Sequence, residues 1–449
     1  MRLRNIFIAV GMLLSCVGIA IASITPEEAE KLGTTLTAIG AEKAGNKDGS
    51  IPEYTGGLTT APSTFKEGSG LRDDPFVDEK PLFTINQQDL DKYSDNLTDG
   101  QKTLLKKYPS YRLDVYKTHR TAAFPKYVLE NTIKQAVTTK TENNGLSVIG
   151  SHAAFPFPIP KTGYEAMWNH LLRYNGTTLN HFPLSLVVNA AGRPTMTYQL
   201  DEVLDFPYWY PETQKGGAFL RLRDICTGPP RNVGESLLLI DAVDMYKEGR
   251  RIWQYLPGQR RTKLAPDIAF DTPNTQLNGA TTYDEWDIFL GSMERFDFKL
   301  IGKKEMYIPY NDYKLAYQSK ANEVLTPNHL NPNFVRWELH RVWVVEADLK
   351  PEKRHIFSKR MFYLDEDTWA ALASDEYDSR GQLYRSGFQY MVQHYDAPSP
   401  YTYLHGFYDF SANMYTLDVY TAETGGVKYI GRLPENEWTP EALAGAGVR

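Results

Sequence analysis

Cysteine is almost missing from this 449-residue chain, which holds two, Cys16 and Cys226. If Cys16 leaves with an N-terminal leader, one remains, and a single cysteine forms no internal disulfide. Core burial and hydrogen bonding must then hold the fold without covalent staples, which a chain of this length can manage. Cys226 sits in Arg223-Asp224-Ile225-Cys226-Thr227-Gly228 with no paired histidine motif nearby, and reads as a small buried residue. A basic excess is missing too. Lys plus Arg is 49 against 55 Asp plus Glu, a formal charge of −6, which argues against a nucleic-acid binder and its basic stripe. Past the N-terminus no run approaches a membrane span, and there is no exact repeat or low-complexity tract. The catalytic signatures are equally absent: no G-x-S-x-G elbow, H-E-x-x-H, P-loop, G-x-G-x-x-G after a strand, C-x-x-C or EF-hand loop.

What is present begins with a leader. Arg2 and Arg4 form a basic n-region, Ile6 to Leu14 an uncharged h-region, and Ala20-Ile21-Ala22 an A-x-A site before Ser23. These are the three parts of a secretory signal peptide cleaved near Ala22. Leu13-Leu14-Ser15-Cys16 partly matches a lipoprotein box, so lipidation at Cys16 stays open as the alternative. Aromatics are abundant, with Tyr 29, Phe 20 and Trp 8. Such side chains favour strands and surfaces with one wet side.

The chain changes character along its length. Residues 23–180 read as helix and loop that pack on a sheet. Thr25-Pro26-Glu27-Glu28 is a capping box, short helices are expected near 86–95, 98–107 and 125–138, and residues 40–84 form a long extended segment. Thr162-Gly163-Tyr164-Glu165 is a second capping box, opening a helix whose apolar stripe includes Trp168. Residues 181–449 read as a curved antiparallel β domain, forming one globular unit with the preceding segment. Hairpins are expected at Lys247-Glu248-Gly249, at Gly302-Lys303-Lys304, at Lys350-Pro351-Glu352-Lys353 and at Ser379-Arg380-Gly381-Gln382, with a last strand pair near 405–421. Tight turns of this kind wire an antiparallel sheet and not a parallel one. The expected fold is therefore mainly β (α+β): a large curved antiparallel sheet, or half-barrel, with helices over its apolar face and a lipid-sized cleft between.

Candidate site residues follow from that geometry. Trp253-Gln254-Tyr255-Leu256-Pro257-Gly258-Gln259-Arg260-Arg261 presents aromatics on alternate positions and then two arginines, a greasy wall with a cationic rim. The expected cargo-binding set is Trp168, Leu239, Trp253, Tyr255, Trp343, Val345 and Phe362, with Arg260 and Arg261 on the rim. No catalytic or metal-binding set is assigned. His340 and His355 fall on paired strands but far apart along them, and Asp365-Glu366-Asp367 reads as a solvated turn or helix N-terminus.

Several segments in order carry a family resemblance: Lys31–Thr37 with Gly40–Gly45, Tyr54–Leu58, Phe155–Pro158 with Glu165–His170, Trp253–Arg261, His340–Ala347, and Lys359-Arg360 with Tyr363–Asp367. Together they resemble the DUF1329 family of periplasmic proteins, described as outer-membrane lipoprotein-sorting-like and distantly similar to LolA and LolB. The resemblance implies a LolA-like half-barrel, a Gram-negative periplasmic location, and association with an RND-type inner-membrane transporter and an outer-membrane β-barrel partner; with no cofactor motif in the sequence, no cofactor is expected. The expected function is a carrier or chaperone for a lipid, acyl chain or other hydrophobic cargo. Two alternatives stand beside it: a non-carrier adaptor subunit of an RND-type export complex, and an envelope hydrolase using a group such as His119, His152, His170 or Asp365.

Overall fold

The computed structural model describes residues 24–212, 217–266, 268 and 270–446. The expected leader, its Ala22 cleavage point and Cys16 lie outside the described residues. In chain order the main sheet takes β1 (Phe83–Ile85), β2 (Leu113–Val115), β3 (Thr178–His181), β4 (Leu184–Val188), β5 (Pro194–Asp205), β6 (Ala218–Gly228), β7 (Ser236–Ala242), β8 (Arg250–Leu256), β9 (Arg261–Leu264), β10 (Phe296–Pro309), β11 (Trp337–Leu349), β12 (Lys359–Asp365), β13 (Ala371–Tyr377), β14 (Leu383–Gln389), β15 (His405–Asp409), β16 (Met414–Tyr420) and β17 (Val427–Tyr429). The longer helices are α1 (Asp99–Lys107), α2 (Lys126–Gln135), α3 (Gly163–Leu171) and α4 (Pro440–Ala446).

Two antiparallel meanders make the sheet. One runs from β4 through β9 and the other from β10 through β16. They join where β16 pairs with β4, Leu417 opposite Leu186. The spatial order is β9-β8-β7-β6-β5-β4-β16-β15-β14-β13-β12-β11-β10, open at both ends. The N-terminal segment adds β1 and β2 beside the start of β11, and β3 and β17 extend the β5 side.

A simple length argument shows how strongly this sheet curves. Eight strand steps separate β7 from β12, roughly 38 Å along the sheet at about 4.8 Å per step. Yet Trp286 borders a space also lined by Leu239 of β7, and Phe289 packs its ring 5.5 Å from that of Phe362 on β12. Three residues of backbone span about 10 Å. The two meanders must therefore face each other across a hollow, as in a half-barrel.

The strand signals in the sequence translate with one correction. Gly302-Lys303-Lys304 makes no hairpin. β10 continues through it as a single strand with a bulge between Leu300 and Gly302. Gly302 holds φ at 132°, so it absorbs the extra residue while Lys303 and Lys304 stay in register with Trp343 and Val342. The first capping box forms as expected, Thr25 with Glu28. At α3 the Thr162 hydroxyl accepts from the Glu165 N–H, but the Glu165 carboxylate takes the Lys161 N–H and not that of Thr162, so the reciprocal half is displaced by one residue.

Candidate functional site

The hollow is where an apolar guest would have to sit, so its occupants matter first. The connection between the meanders leaves edge strand β9 and must reach edge strand β10. Residues 284–295 do this by running across the inner face. Ile288, Phe289, Leu290 and Met293 are all buried there. Phe289 meets Phe298 and Phe362 edge-on, and the Arg360 guanidinium stacks over Phe289 and Phe362. Helix α3 lies against β10 on this same face. A Cβ on Gly163 would fall 2.5 Å from the Phe298 carbonyl carbon, so only glycine allows that approach.

The crossing segment is fastened as well as packed. His170 is wholly buried. Its Nε2 donates to the Phe289 carbonyl at 3.0 Å, and its Nδ1 accepts from the Ala371 N–H at 3.0 Å. Burial and the nearby Arg173 guanidinium hold its pKa well below the usual histidine range. Arg173 pairs with Asp287, and Arg360 with Asp284 at 2.9 Å. Asp284 also accepts from His355 Nε2, which accounts for that histidine.

The sequence-selected residues divide between the two faces. Val345 and Phe362 are fully buried beneath the crossing segment, and Trp168 is buried on α3 with its indole N–H donating to the Gly145 carbonyl at 2.7 Å. Trp343 is half-buried, stacked on Trp369 with the Lys303 ammonium over its ring. Trp253 and Tyr255 face the other way. They share the outer side of the sheet with Leu238 and Ile240, under Trp438 and the Leu443 side chain of α4. Leu239, one residue out of phase, faces inward. Register explains the split: Trp253 lies opposite Leu238, and Ile252 opposite Leu239. Arg260 and Arg261 are exposed just past β8, Arg260 with φ at 47°.

Around Leu239 the hollow is not completely filled. A recess of about 30 Å³ lies between β6–β8 and the connection, walled by Leu222, Leu237, Leu239, Ile252, Ile268 and Trp286. Polar groups close one side: Asp224, Arg250 and Gln276. Asp224 faces Glu202 on the next strand, both buried. Desolvation raises both carboxyls, Glu202 to about 7. Glu202 also meets His181 Nε2 at 2.5 Å, and burial lowers that histidine to about 3.

A second constellation escaped sequence reasoning. Asp365, Glu366 and Asp367 do not form a solvated turn; all three are buried. The Arg120 guanidinium clamps Asp367 through two bonds of 2.8 and 2.7 Å. Glu366 takes Lys303 at 2.7 Å and Arg341 at 3.3 Å. Asp365 has no lysine or arginine. Its Oδ2 accepts from the Thr368 hydroxyl, and its Oδ1 lies 3.7 Å from His340 Nδ1 without a hydrogen bond. Burial and the Asp367 charge push the Asp365 carboxyl up to about 7. No local signal marked this cluster, because its cations come from residues 120, 303 and 341.

Residues 84–444 match the family model described as a protein of unknown function, DUF1329. The chain belongs to the DUF1329 family. An uncharacterized protein of Pseudomonas aeruginosa, PA3922, is 40% identical over 437 residues, covering 95% of each chain. Among solved structures, a putative outer membrane lipoprotein-sorting protein domain from Vibrio parahaemolyticus is 15% identical with a TM-score of 0.44, covering 63% of this chain and 98% of its own. A DUF1329 family protein from Desulfovibrio piger gives 12% and 0.40, covering 62% and 95%. A LolA superfamily protein, NE2245 of Nitrosomonas europaea, gives 12% and 0.38, covering 63% and 99%.

The matched region of this DUF1329 chain contains the hollow, the recess at Leu239 and the buried acidic cluster. The other residues considered for hydrolysis are engaged with neighbours. His119 Nε2 meets Glu79 at 2.7 Å, and His152 Nε2 meets the Tyr210 carbonyl at 2.9 Å. Among the described residues no helix is long and apolar enough to cross a membrane.

Proposed function

We propose that this DUF1329 protein is a periplasmic carrier for a single apolar chain, such as a lipid acyl group, with its seat at the β6–β8 end of the hollow. One observation carries the reading. Leu222, Leu237, Leu239 and Ile252 of three adjacent strands face a space that the protein's own side chains leave partly empty. The Trp168, Val345 and Phe362 positions act as the packed floor of the hollow, not as cargo contacts. The existing 30 Å³ holds about two waters, so cargo takes its place by displacing Trp286 and Ile268 side chains. Each buried methylene returns roughly 0.8 kcal/mol, so a ten-carbon chain supplies about 8 kcal/mol of gross driving force against that displacement.

A second reading rests on a different observation: most of the hollow is filled and bolted. That favours a non-carrier adaptor that bridges an RND-type transporter and an outer-membrane β-barrel. Native mass spectrometry after gentle purification separates the two. Co-purified lipid, and micromolar binding of a fluorescent dodecanoyl probe abolished by Leu239→Trp with the melting temperature preserved, support the carrier. An empty protein with no probe binding, held in a stable complex with its membrane partners, supports the adaptor and overturns the carrier.

A further inference from the structure

We propose that His340, Asp365 and Asp367 form a structural site for one first-row divalent cation, of the zinc or manganese class, that fastens the N-terminal segment to the sheet. One donor atom from each of the three residues lies within 4.8 Å of the others, and all three residues are buried.

The arrangement around His340 is what gives the cluster a ligand. Its Nε2 meets the Glu338 carboxylate at 3.2 Å. A carboxylate accepts, so Nε2 carries a proton and is taken up by Glu338, which leaves Nδ1 as the ring nitrogen turned toward the acidic cluster. That nitrogen faces Asp365 Oδ1 at 3.7 Å. Such a facing pair is held either by a proton or by a cation lying between the two atoms, and the second is the arrangement proposed here. Metal-bound histidines show this same outer arrangement, one nitrogen on the metal and the other donating to a carboxylate. Ligands at about 2.1 Å in a tetrahedral shell stand about 3.4 Å apart, close to the 3.7 Å between His340 Nδ1 and Asp365 Oδ1.

An independent observation points into the same space. Tyr310 is fully buried with its ring 3.9 Å from that of His340, and its hydroxyl has no hydrogen-bond partner. Burial together with the Asp365, Asp367 and Glu338 carboxylates raises that hydroxyl's pKa against the opposing Arg120 guanidinium, so it shares their surroundings. It therefore offers a fourth oxygen, directly or through a water. One imidazole with two or three oxygens suits zinc or manganese better than magnesium or calcium, which take oxygen alone.

The site's consequence is mechanical. Arg120, clamped on Asp367, also donates to the Lys43 and Pro52 carbonyls. Arg341, on Glu366, donates to the Ala44 carbonyl. A cation on Asp365 and Asp367 thus fixes the acidic turn on which residues 43–52 are hung.

The test uses the full secreted chain. Inductively coupled plasma mass spectrometry should find about one equivalent of zinc or manganese. After EDTA treatment, added ZnCl₂ or MnCl₂ should restore one equivalent and raise the melting temperature, while MgCl₂ does not. Removing the metal should speed proteolytic cleavage within residues 43–52. Asp365→Asn removes an unpaired buried charge and should fold, yet lose binding by about 100-fold or more, and Glu338→Gln should weaken it about 10- to 100-fold. Less than a tenth of an equivalent in the wild type with no thermal shift on adding zinc or manganese overturns the proposal. So does unchanged zinc affinity in either variant.

Discussion

Replacing His170 with alanine should be among the costliest single changes in this protein. The imidazole joins helix α3, the crossing segment and strand β13 by donating to the Phe289 carbonyl and accepting from the Ala371 N–H, both at 3.0 Å in a fully buried setting. Alanine leaves one carbonyl and one N–H without partners, each costing about 1–3 kcal/mol. The vacated ring adds a cavity cost of about 1–2 kcal/mol. The expected loss is about 3–8 kcal/mol, a large share of the 5–15 kcal/mol that holds a typical domain. Urea unfolding followed by tryptophan fluorescence measures it. His170→Gln carries both a donor and an acceptor and should recover part of the loss. The charge state gives a second readout. The folded pKa lies well below the ordinary value near 6.5. Below that pH the unfolded chain takes up a proton that the folded chain refuses, so stability falls with acidification by up to about 1.4 kcal/mol per pH unit. That component should vanish in His170→Gln. A loss under 1 kcal/mol for alanine, or glutamine no better than alanine, would refute the view that this histidine bolts the filling of the hollow in place.

Asp375 predicts a slope of the opposite sign. It accepts from the Asp99 and Gly100 N–H groups at the start of α1, yet desolvation raises its carboxyl to about 6. A raised carboxyl binds its proton more tightly when folded. Its stabilisation is complete below about pH 4 and is lost as pH climbs through 6, about 3 kcal/mol in all. Comparing wild type with Asp375→Asn by urea unfolding from pH 4 to 7 should show that relative decline, and parallel curves would rule it out. Tyr255→Ala should cost about 3 kcal/mol and expose residues 435–446 to hydrogen exchange. Trp253→Ala should do the same more weakly, and both should leave probe binding intact. Lost binding with unchanged C-terminal protection would put these aromatics back in the cargo seat.

Alternation revealed strands where one side is more buried than the other, turn chemistry revealed most hairpins, and strands such as β7, β13 and β15 are buried on both sides. What alternation gives is parity. It says that Trp253 and Tyr255 share a side, not which side, and Leu239 on the neighbouring strand could not be phased to them without the register. Gly302-Lys303-Lys304 looked like a turn because a bulge and a turn both call for glycine at positive φ. Asp365-Glu366-Asp367 looked solvated because three adjacent acids usually are, and their compensating cations lie between 25 and 247 residues away in sequence. The connection between β9 and β10 has neither period and left no trace in a pattern search, although it decides how much of the hollow is free.

That connection follows from the topology. Two meanders that meet in the middle, at β4 and β16, put their outer strands at opposite edges of one sheet. The chain leaves the first meander at β9 and enters the second at β10, so it must travel from one edge to the other. When the sheet curves, the short route is across the hollow. A crossing chain brings its own polar backbone into an apolar space, and those groups need partners. His170 answers the Phe289 carbonyl, Arg360 the Ile288 carbonyl, and the Asp284 and Asp287 side chains draw in Arg360 and Arg173. These fastenings gather on the side of β10–β13 and α3. On the β6–β8 side the connection meets leucine and isoleucine, with Gln276 reaching Asp224 at 2.9 Å. Apolar contacts between side chains can be exchanged for contacts with a guest at little net cost, whereas buried ion pairs cannot. A guest admitted anywhere in this hollow is therefore admitted beside Leu239, and hydrogen exchange in the presence of lipid should protect β6–β8 while leaving β12 and β13 unchanged.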